Sequence, residues 1–292
     1  MTDAPAGMHL AYYPGCSLHA TGLEYDASVR AAFDAVGVTL EELEGWNCCG
    51  ASSAHALSHN LALGLSARNL ALIEQRGLEA LAPCAACFNR LRAAQEAVRS
   101  HPEEFAWLDP VLGARVRGDS VIHSPIGLLV KVIGLDEVRR HVVRPLNGLK
   151  AVSYYGCLLA RPRPLSELSS SDHPGELDEL WKALGGRPLL WSYAVDCCGG
   201  ALSIPRSDIA RGMTQKIVDA ARDAGAEVIV TACPLCQANL EMRQTISGDR
   251  PPVPALYFSE AMGLAFGLPE AAGWWGKHLI DPRPLLREVN LA

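Results

Sequence analysis

Ten cysteines fall into two sets of five on nearly one ruler, and no cysteine is left over. The first set is Cys16, Cys48, Cys49, Cys84 and Cys87, and the second is Cys157, Cys197, Cys198, Cys233 and Cys236. As motifs they read C-x31-C-C-x34-C-x2-C and C-x39-C-C-x34-C-x2-C. Each Cys-Cys pair is followed by glycine, Gly50 or Gly199. Soft thiolates at fixed spacing bind soft metals or iron–sulfur clusters. The doubling predicts two such centres, each built by sulfurs from three distant points of a half-chain.

The repeat extends beyond cysteine. Tyr12-Tyr13-Pro14-Gly15-Cys16 resembles Tyr154-Tyr155-Gly156-Cys157 with one residue fewer. Trp46-Asn47-Cys48-Cys49-Gly50 answers to Val195-Asp196-Cys197-Cys198-Gly199, and Pro83-Cys84-Ala85-Ala86-Cys87 to Ala232-Cys233-Pro234-Leu235-Cys236. From the Cys-Cys pair onward the offset is 149 residues, whereas before it the second copy carries eight more, assigned to the polar stretch 161–176. Two domains are expected, 1–148 and 149–292, within the size range of ordinary domains.

Each copy carries the same predicted elements. Apolar stretches at 9–13 and 151–155 run as buried strands into the first cysteine. Helices follow at 23–36 and 177–184, then a strand into the Cys-Cys-Gly loop. Amphipathic helices come next at 56–76 and 207–224. Third strands at 80–82 and 227–231 end in Cys-x-x-Cys at a helix start. A last strand and helix complete each copy, with Val121-Ile122-His123 set against Ala255-Leu256-Tyr257. Strand–helix alternation predicts an α/β fold with a mainly parallel sheet flanked by helices, in two pseudo-twofold related copies. In such sheets sites gather beyond the carboxyl ends of strands, where every cysteine element is predicted to lie.

Composition narrows the function classes. A net charge of −6 and a pI near 5.9 disfavour nucleic acid or an anionic membrane as the main partner. No run of 18 uncharged apolar residues exists to span a bilayer. Residues 1–7 show no signal-peptide pattern, so a cytoplasmic location is expected, with any membrane association through partners. In a reducing compartment clustered thiols bind metals or do redox chemistry more often than they form structural disulfides.

Five sulfurs exceed what a structural zinc site or a cubane cluster takes, since each uses four. One cysteine per copy is then a bystander, or a redox-active thiol beside a four-cysteine site, or the fifth ligand of an unusual cluster. The spacing alone does not choose. Gly50, Gly199 and Gly200 permit close backbone approach, and their amides are expected to donate to sulfur. The Cys-x-x-Cys pairs open helices, whose N-termini favour thiolate.

These motifs resemble the duplicated cysteine-rich (CCG) domain family, which includes the B subunits of heterodisulfide reductases; the resemblance spans the chain after residue 7. It implies that each five-cysteine set holds one non-cubane [4Fe-4S] cluster: Cys16, Cys48, Cys49, Cys84 and Cys87 on one, Cys157, Cys197, Cys198, Cys233 and Cys236 on the other. Zinc at one set remains an alternative, because one branch of the family is thought to bind it. The resemblance implies two-electron reduction of a disulfide, or oxidation of a thiol, in a complex with a ferredoxin-like C subunit and a flavin-bearing A subunit. Neither a ferredoxin run nor a G-x-G-x-x-G fingerprint occurs in this chain. The rival readings are a non-catalytic electron-transfer or anchor subunit of a flavin dehydrogenase or quinone-linked complex, and a structural zinc protein.

Other candidates stand against plain structural roles. His19, His55 and His59 follow cluster cysteines, and His55 and His59 at i, i+4 are set to share one helix face. His123 is a candidate to line the cleft, with a satisfied structural histidine the preferred reading, and Arg161 and Arg206 are candidates to bind an anionic substrate group, with a solvated arginine preferred for each. Asn89 and Asn239 are paired as braces of the helices after Cys-x-x-Cys. Trp274, Trp275 and Phe88 are expected to mark an apolar docking surface, or else plain core.

Overall fold

A computed structural model describes residues 7–51, 53–113, 115–244 and 251–291. It contains two four-stranded sheets, one per half. The first has β1 (Met8–Tyr12), β2 (Val38–Glu42), β3 (Ala80–Leu81) and β4 (Ile122–His123) in the order β2-β1-β3-β4. The second has β5 (Lys150–Tyr154), β6 (Arg187–Pro188), β7 (Val228–Thr231) and β8 (Ala255–Tyr257) in the order β6-β5-β7-β8. Every strand pair is parallel. The strand order therefore reverses beside β1 and β5, giving each half the switch-point crevice of a doubly wound sheet. The expected α/β architecture is present twice. Leu10, Ala11 and Tyr12 of β1 and all of β7 are buried, as strands covered on both faces must be.

The helices that frame the crevices begin where local chemistry starts them. The predicted helix 56–76 is split in two, Ala54–Leu57 and His59–Arg76. Ser58 adopts an extended backbone between them, and its side chain caps the second piece by accepting from the Leu61 amide at 3.4 Å. His55 and His59 thus lie on separate helices. Gly77, in the left-handed conformation, ends the longer piece.

Strand register corrects two of the sequence pairings. Tyr12 pairs with Leu81 and Ser153 with Val230, so with the 149-residue offset Tyr13, not Tyr12, answers to Tyr154. The phenols agree: Tyr13 donates to the Asn47 carbonyl at 2.8 Å and Tyr154 to the Asp196 carbonyl at 2.7 Å. Likewise His123 answers to Leu256 rather than to Tyr257, because it pairs with Leu81 where Leu256 pairs with Val230.

The halves pack about a pseudo-twofold axis. The Leu23–Ala35 helix lies on the Phe258–Ala265 helix, with Tyr25 stacked on Tyr257 at 4.1 Å and Ser28 hydrogen-bonded to Ser259 at 2.7 Å. The buried Tyr25 hydroxyl lies 3.1 Å from both the Pro83 and the Ala232 carbonyl, one from each half. Asn89 Nδ2 crosses from the first half to donate to the Leu158 and Arg161 carbonyls at 3.0 and 2.8 Å.

One crossing is unequal. In the second half the Tyr257 amide donates to Glu260 Oε2 at 2.9 Å, within its own helix turn. In the first half Gly127 holds the place of Glu260, and the acceptor comes from the inserted stretch of the other half. There the Ser124 amide and hydroxyl both donate to Glu167 Oε2, each at 2.7 Å.

Candidate metal centre

Three strand ends deliver the cysteines of each half. Cys16 follows β1, Cys48 and Cys49 follow β2, and Cys84 follows β3 and opens the helix Ala85–Ser100 that carries Cys87. Cys157, Cys197, Cys198, Cys233 and Cys236 follow β5, β6 and β7 in the same way. All ten are free thiols. In the first half Cys48 Sγ lies 3.5 Å from Cys16 Sγ and Cys49 Sγ 3.4 Å from Cys87 Sγ. In the second, Cys198 Sγ lies 3.7 Å from Cys236 Sγ, and Cys157 and Cys197 line one cavity with Cys198, Cys233 and Cys236. The structure brings both predicted sets together.

Glycines shape both sites. Gly15 and Gly156 have φ of +72° and +67°, and a Cβ on them would lie 2.6 Å from Cys87 Sγ and 2.8 Å from Cys236 Sγ. Only glycine fits both the backbone conformation and the space. Gly50 and Gly199 also take positive φ, at +71° and +76°. Their amides donate to Cys48 Sγ at 3.4 Å and Cys197 Sγ at 3.3 Å.

Each site has an open side and a closed side. Cys16, Cys48 and Cys197 are exposed and Cys157 is half-buried, while Cys84, Cys87, Cys233 and Cys236 are buried toward the axis. The Tyr25 hydroxyl, 3.1 Å from both the Pro83 and the Ala232 carbonyl, touches the residue directly before Cys84 and the one directly before Cys233, so the two sets adjoin. A cavity of about 170 Å³ touches all five second-set cysteines and is walled by Ala51, Ala85, Ala86 and Arg90 of the first half.

The thiols share protons along these contacts. Hydrogen bonds from Cys48 and Cys87, with a smaller pull from Arg90, lower Cys49 to about 3. The Cys157 hydrogen bond, helped by the Gly199 and Gly200 amides, lowers Cys197 to about 6. Cys236 and Cys84 hold Cys233 well below the ordinary thiol range. Their partners Cys48, Cys157, Cys87 and Cys236 move up, each chiefly because it bonds to a neighbouring sulfur. Five sulfurs on three loops, thiolate already favoured at several, and glycines admitting close approach fit a soft metal group at each set.

The remaining candidates divide. His19 pairs with Glu42 at 3.1 Å and packs edge-on to Trp46. His55 Nε2 meets Arg90 Nη1 at 2.5 Å, and the Arg90 charge lowers its pKa. His123 is held between Glu79 at 2.8 Å and Glu167 at 3.5 Å, a structural role rather than a cleft one. Arg161 pairs with Asp172 and Arg206 with Asp208 on the surface. Asn89 and Asn239 are not equivalent: Asn239 answers to Arg90, and it donates to the Cys198 carbonyl at 3.0 Å and to Cys198 Sγ at 3.5 Å. Phe88, Trp274 and Trp275 are buried, which removes them as a docking surface. Arg90 escapes a reading by residue type, although the 149-residue offset from Asn239 points to it.

Family comparison now applies to a defined geometry. The cysteine-rich domain (CCG) family matches at residues 10–92 and again at 151–241. The chain belongs to the CCG cysteine-rich domain family. Among relatives, the 8-methylmenaquinol:fumarate reductase membrane anchor subunit of Wolinella succinogenes is 33% identical over 94% of this chain and 98% of its own length. The B subunit of the ferredoxin:CoB-CoM heterodisulfide reductase of Methanosarcina mazei is 26% identical over 88% of this chain and 89% of its own. An Archaeoglobus profundus protein described as like the heterodisulfide reductase B subunit is 26% identical over 79% and 80%. A solved structure of a hypothetical Helicobacter pylori protein shares the fold, with a TM-score of 0.69 at 12% identity, over 96% of this CCG chain and 54% of the other. These relationships support an iron–sulfur, electron-transferring role for this CCG protein, and its named relatives are subunits of larger complexes. No helix among the described residues is long and apolar enough to cross a membrane.

Proposed function

We propose that this chain is the iron–sulfur subunit of a multi-subunit oxidoreductase acting on a sulfur–sulfur bond or its thiol products. Cys16, Cys48, Cys49, Cys84 and Cys87 would hold one non-cubane [4Fe-4S] group, and Cys157, Cys197, Cys198, Cys233 and Cys236 the other. The observation that carries this reading is the closeness of the two sets: one Tyr25 hydroxyl lies 3.1 Å from the carbonyls directly before Cys84 and Cys233, and first-half residues wall the cavity at the second set. Breaking a disulfide takes two electrons, and two adjoining one-electron groups, held by these ten cysteines and recharged by a partner, would supply them. The chain's residues hold these groups, exclude water on the axis side through the buried Cys84, Cys87, Cys233 and Cys236, and leave Cys16, Cys48 and Cys197 at the surface for exchange. The cavity walled by Ala85, Ala86 and Arg90 offers a small thiol or disulfide a place beside the second set.

The reading places one functional unit on either side of residue 148, a ferredoxin-like and a flavin-bearing subunit as partners, and a cytoplasmic location. Iron and sulfide analysis of anaerobically purified protein tests it: about eight of each per chain is expected. Zinc alone, or no metal, refutes it. A second reading is favoured by the 33% identical relative, which is named a membrane anchor subunit. On that reading the same two sites pass electrons between a dehydrogenase and a quinone. Disulfide reduction by the loaded chain with an artificial one-electron donor supports the first reading, and its absence beside intact iron supports the second.

A further inference from the structure

Arg90 puts a cation into the wall of the cavity that touches all five second-set cysteines. It arrives from the other half, three residues after Cys87. The rest of the wall is cysteine, glycine and side chains such as Ala51, Ala86, Tyr155 and Leu235. Apart from the cysteines, no other ionised side chain among the described residues lines it.

No carboxylate among the described residues neutralises this cation. Arg90 Nη1 meets the exposed His55 Nε2 at 2.5 Å, a ring that carries no negative charge. Arg90 Nε is buried without a hydrogen-bond partner. Native folds leave few buried donors unpaired, so this one is placed for an acceptor from outside the fold. The equivalent position in the second half has no such deficit. Asn239 Nδ2 donates to the Cys198 carbonyl at 3.0 Å, and its Oδ1 accepts from Ser203 Oγ at 2.8 Å and Arg243 Nε at 2.9 Å. Arg161 and Arg206, the arginines singled out in the sequence for an anionic group, are already engaged by Asp172 and Asp208.

One fixed guanidinium in a mainly apolar wall selects a ligand by charge and orients it. Given the reading that these sites act on a disulfide or its thiols, we infer that Arg90 is a specificity-determining residue. It binds an anionic end group, a carboxylate or an acid of similar shape, on the disulfide or thiol that enters beside the second set. The cavity, about 170 Å³, must also hold the second metal group, so only the end of such a molecule enters. The step served is R–S–S–R plus two electrons and two protons giving two R–SH, the electrons coming singly from an external one-electron reductant.

The test compares small symmetric disulfides of matched size on the anaerobically purified full chain: dithiodipropionate, its neutral diamide and cationic cystamine. Calorimetry reads binding, and KM and kcat are read with reduced methyl viologen as donor. Dithiodipropionate should bind about tenfold to a hundredfold more tightly than the diamide, the range of one charge-assisted hydrogen bond, with cystamine weakest. The difference should lie in KM more than in kcat. Arg90→Gln should erase the preference, and Arg90→Lys should keep part of it. His55→Glu gives the guanidinium a carboxylate of the protein's own and should erase it as well; because His55 is exposed, this variant does not depend on tolerance in the core. Equal wild-type binding of the dianion and the diamide, or a preference that survives both Arg90→Gln and His55→Glu, overturns the inference. Equal binding together with iron loss in Arg90→Gln assigns the cation to the metal group instead. The two levels separate cleanly. Anion preference in binding without turnover refutes disulfide chemistry and leaves the anion site standing, whereas turnover without preference does the reverse.

Discussion

Replacing Gly15 by alanine tests the reason for glycine at the mouth of the first site. Two costs are set by the structure. The φ of +72° is a left-handed conformation that costs a side-chain-bearing residue about 1–2 kcal/mol. The new Cβ would stand 2.6 Å from Cys87 Sγ, about 1 Å inside ordinary contact. Cys87 is buried on the helix Ala85–Ser100, so the overlap is relieved only by moving a sulfur or the loop, at about 1–3 kcal/mol. The sum is about 2–5 kcal/mol. Gly37→Ala is the control: its φ is +80°, yet nothing lies within 4 Å of its Cβ position, so it carries the backbone cost alone. Urea unfolding should place Gly15→Ala below Gly37→Ala. On the proposal that each set holds one four-iron group, iron per chain should fall by about half in the first variant and hold in the second. Gly156→Ala, with its Cβ 2.8 Å from Cys236 Sγ, should mirror the loss at the other set. Equal stability and full iron in Gly15→Ala would refute the reasoning.

Three further outcomes follow from the packing. His278 is enclosed between Glu241 at 2.7 Å and Glu260 at 2.8 Å, and despite burial these carboxylates raise its pKa to about 10. Its stabilisation is full below the unfolded value near 6.5 and disappears as pH rises through about 10. His278→Gln should cost about 3–5 kcal/mol at neutral pH by leaving two buried carboxylates unpaired, and its urea midpoint should lose that alkaline slope relative to wild type. Tyr25→Phe removes the hydroxyl near the Pro83 and Ala232 carbonyls while keeping the stack on Tyr257, and calorimetry should show a loss of about 1–3 kcal/mol. Stripping the metal with a chelator should lower the unfolding temperature and speed proteolysis of the Cys-Cys-Gly loops, because binding free energy at such sites is also folding free energy; an unchanged unfolding temperature would contradict this.

Much of the site was legible because it depends on local signals. Cysteine spacing, the glycines and the apolar run of β7 each report a strand end, and a parallel sheet gathers strand ends on one side. What was not legible depends on register and on distance. The pairing of Tyr12 with Tyr154 matches letters, whereas sheet hydrogen bonding pairs Tyr13 with it, and only that alignment sets both phenols on the carbonyl before a Cys-Cys pair. Arg90 is hidden by the neighbouring Asn89, which matches Asn239 by type and not by position. Trp274 reads as a surface candidate in an apolar stretch; it is buried because Gly263 leaves room for its ring, where a Cβ would come within 2.4 Å. Nothing in the local sequence around Ser124 announces a carboxylate 43 residues away.

That remote carboxylate has a consequence for how the chain can be divided. Glu167 stands in for a side chain that Gly127 lacks, so the first half is chemically unfinished by itself. A fragment ending near residue 148 would carry a bare helix start and a His123 stripped of one of its two carboxylates, while the complementary fragment keeps its own Glu260. Severing the protein at its midpoint should therefore leave unequal products, the C-terminal piece holding its shape better than the N-terminal one.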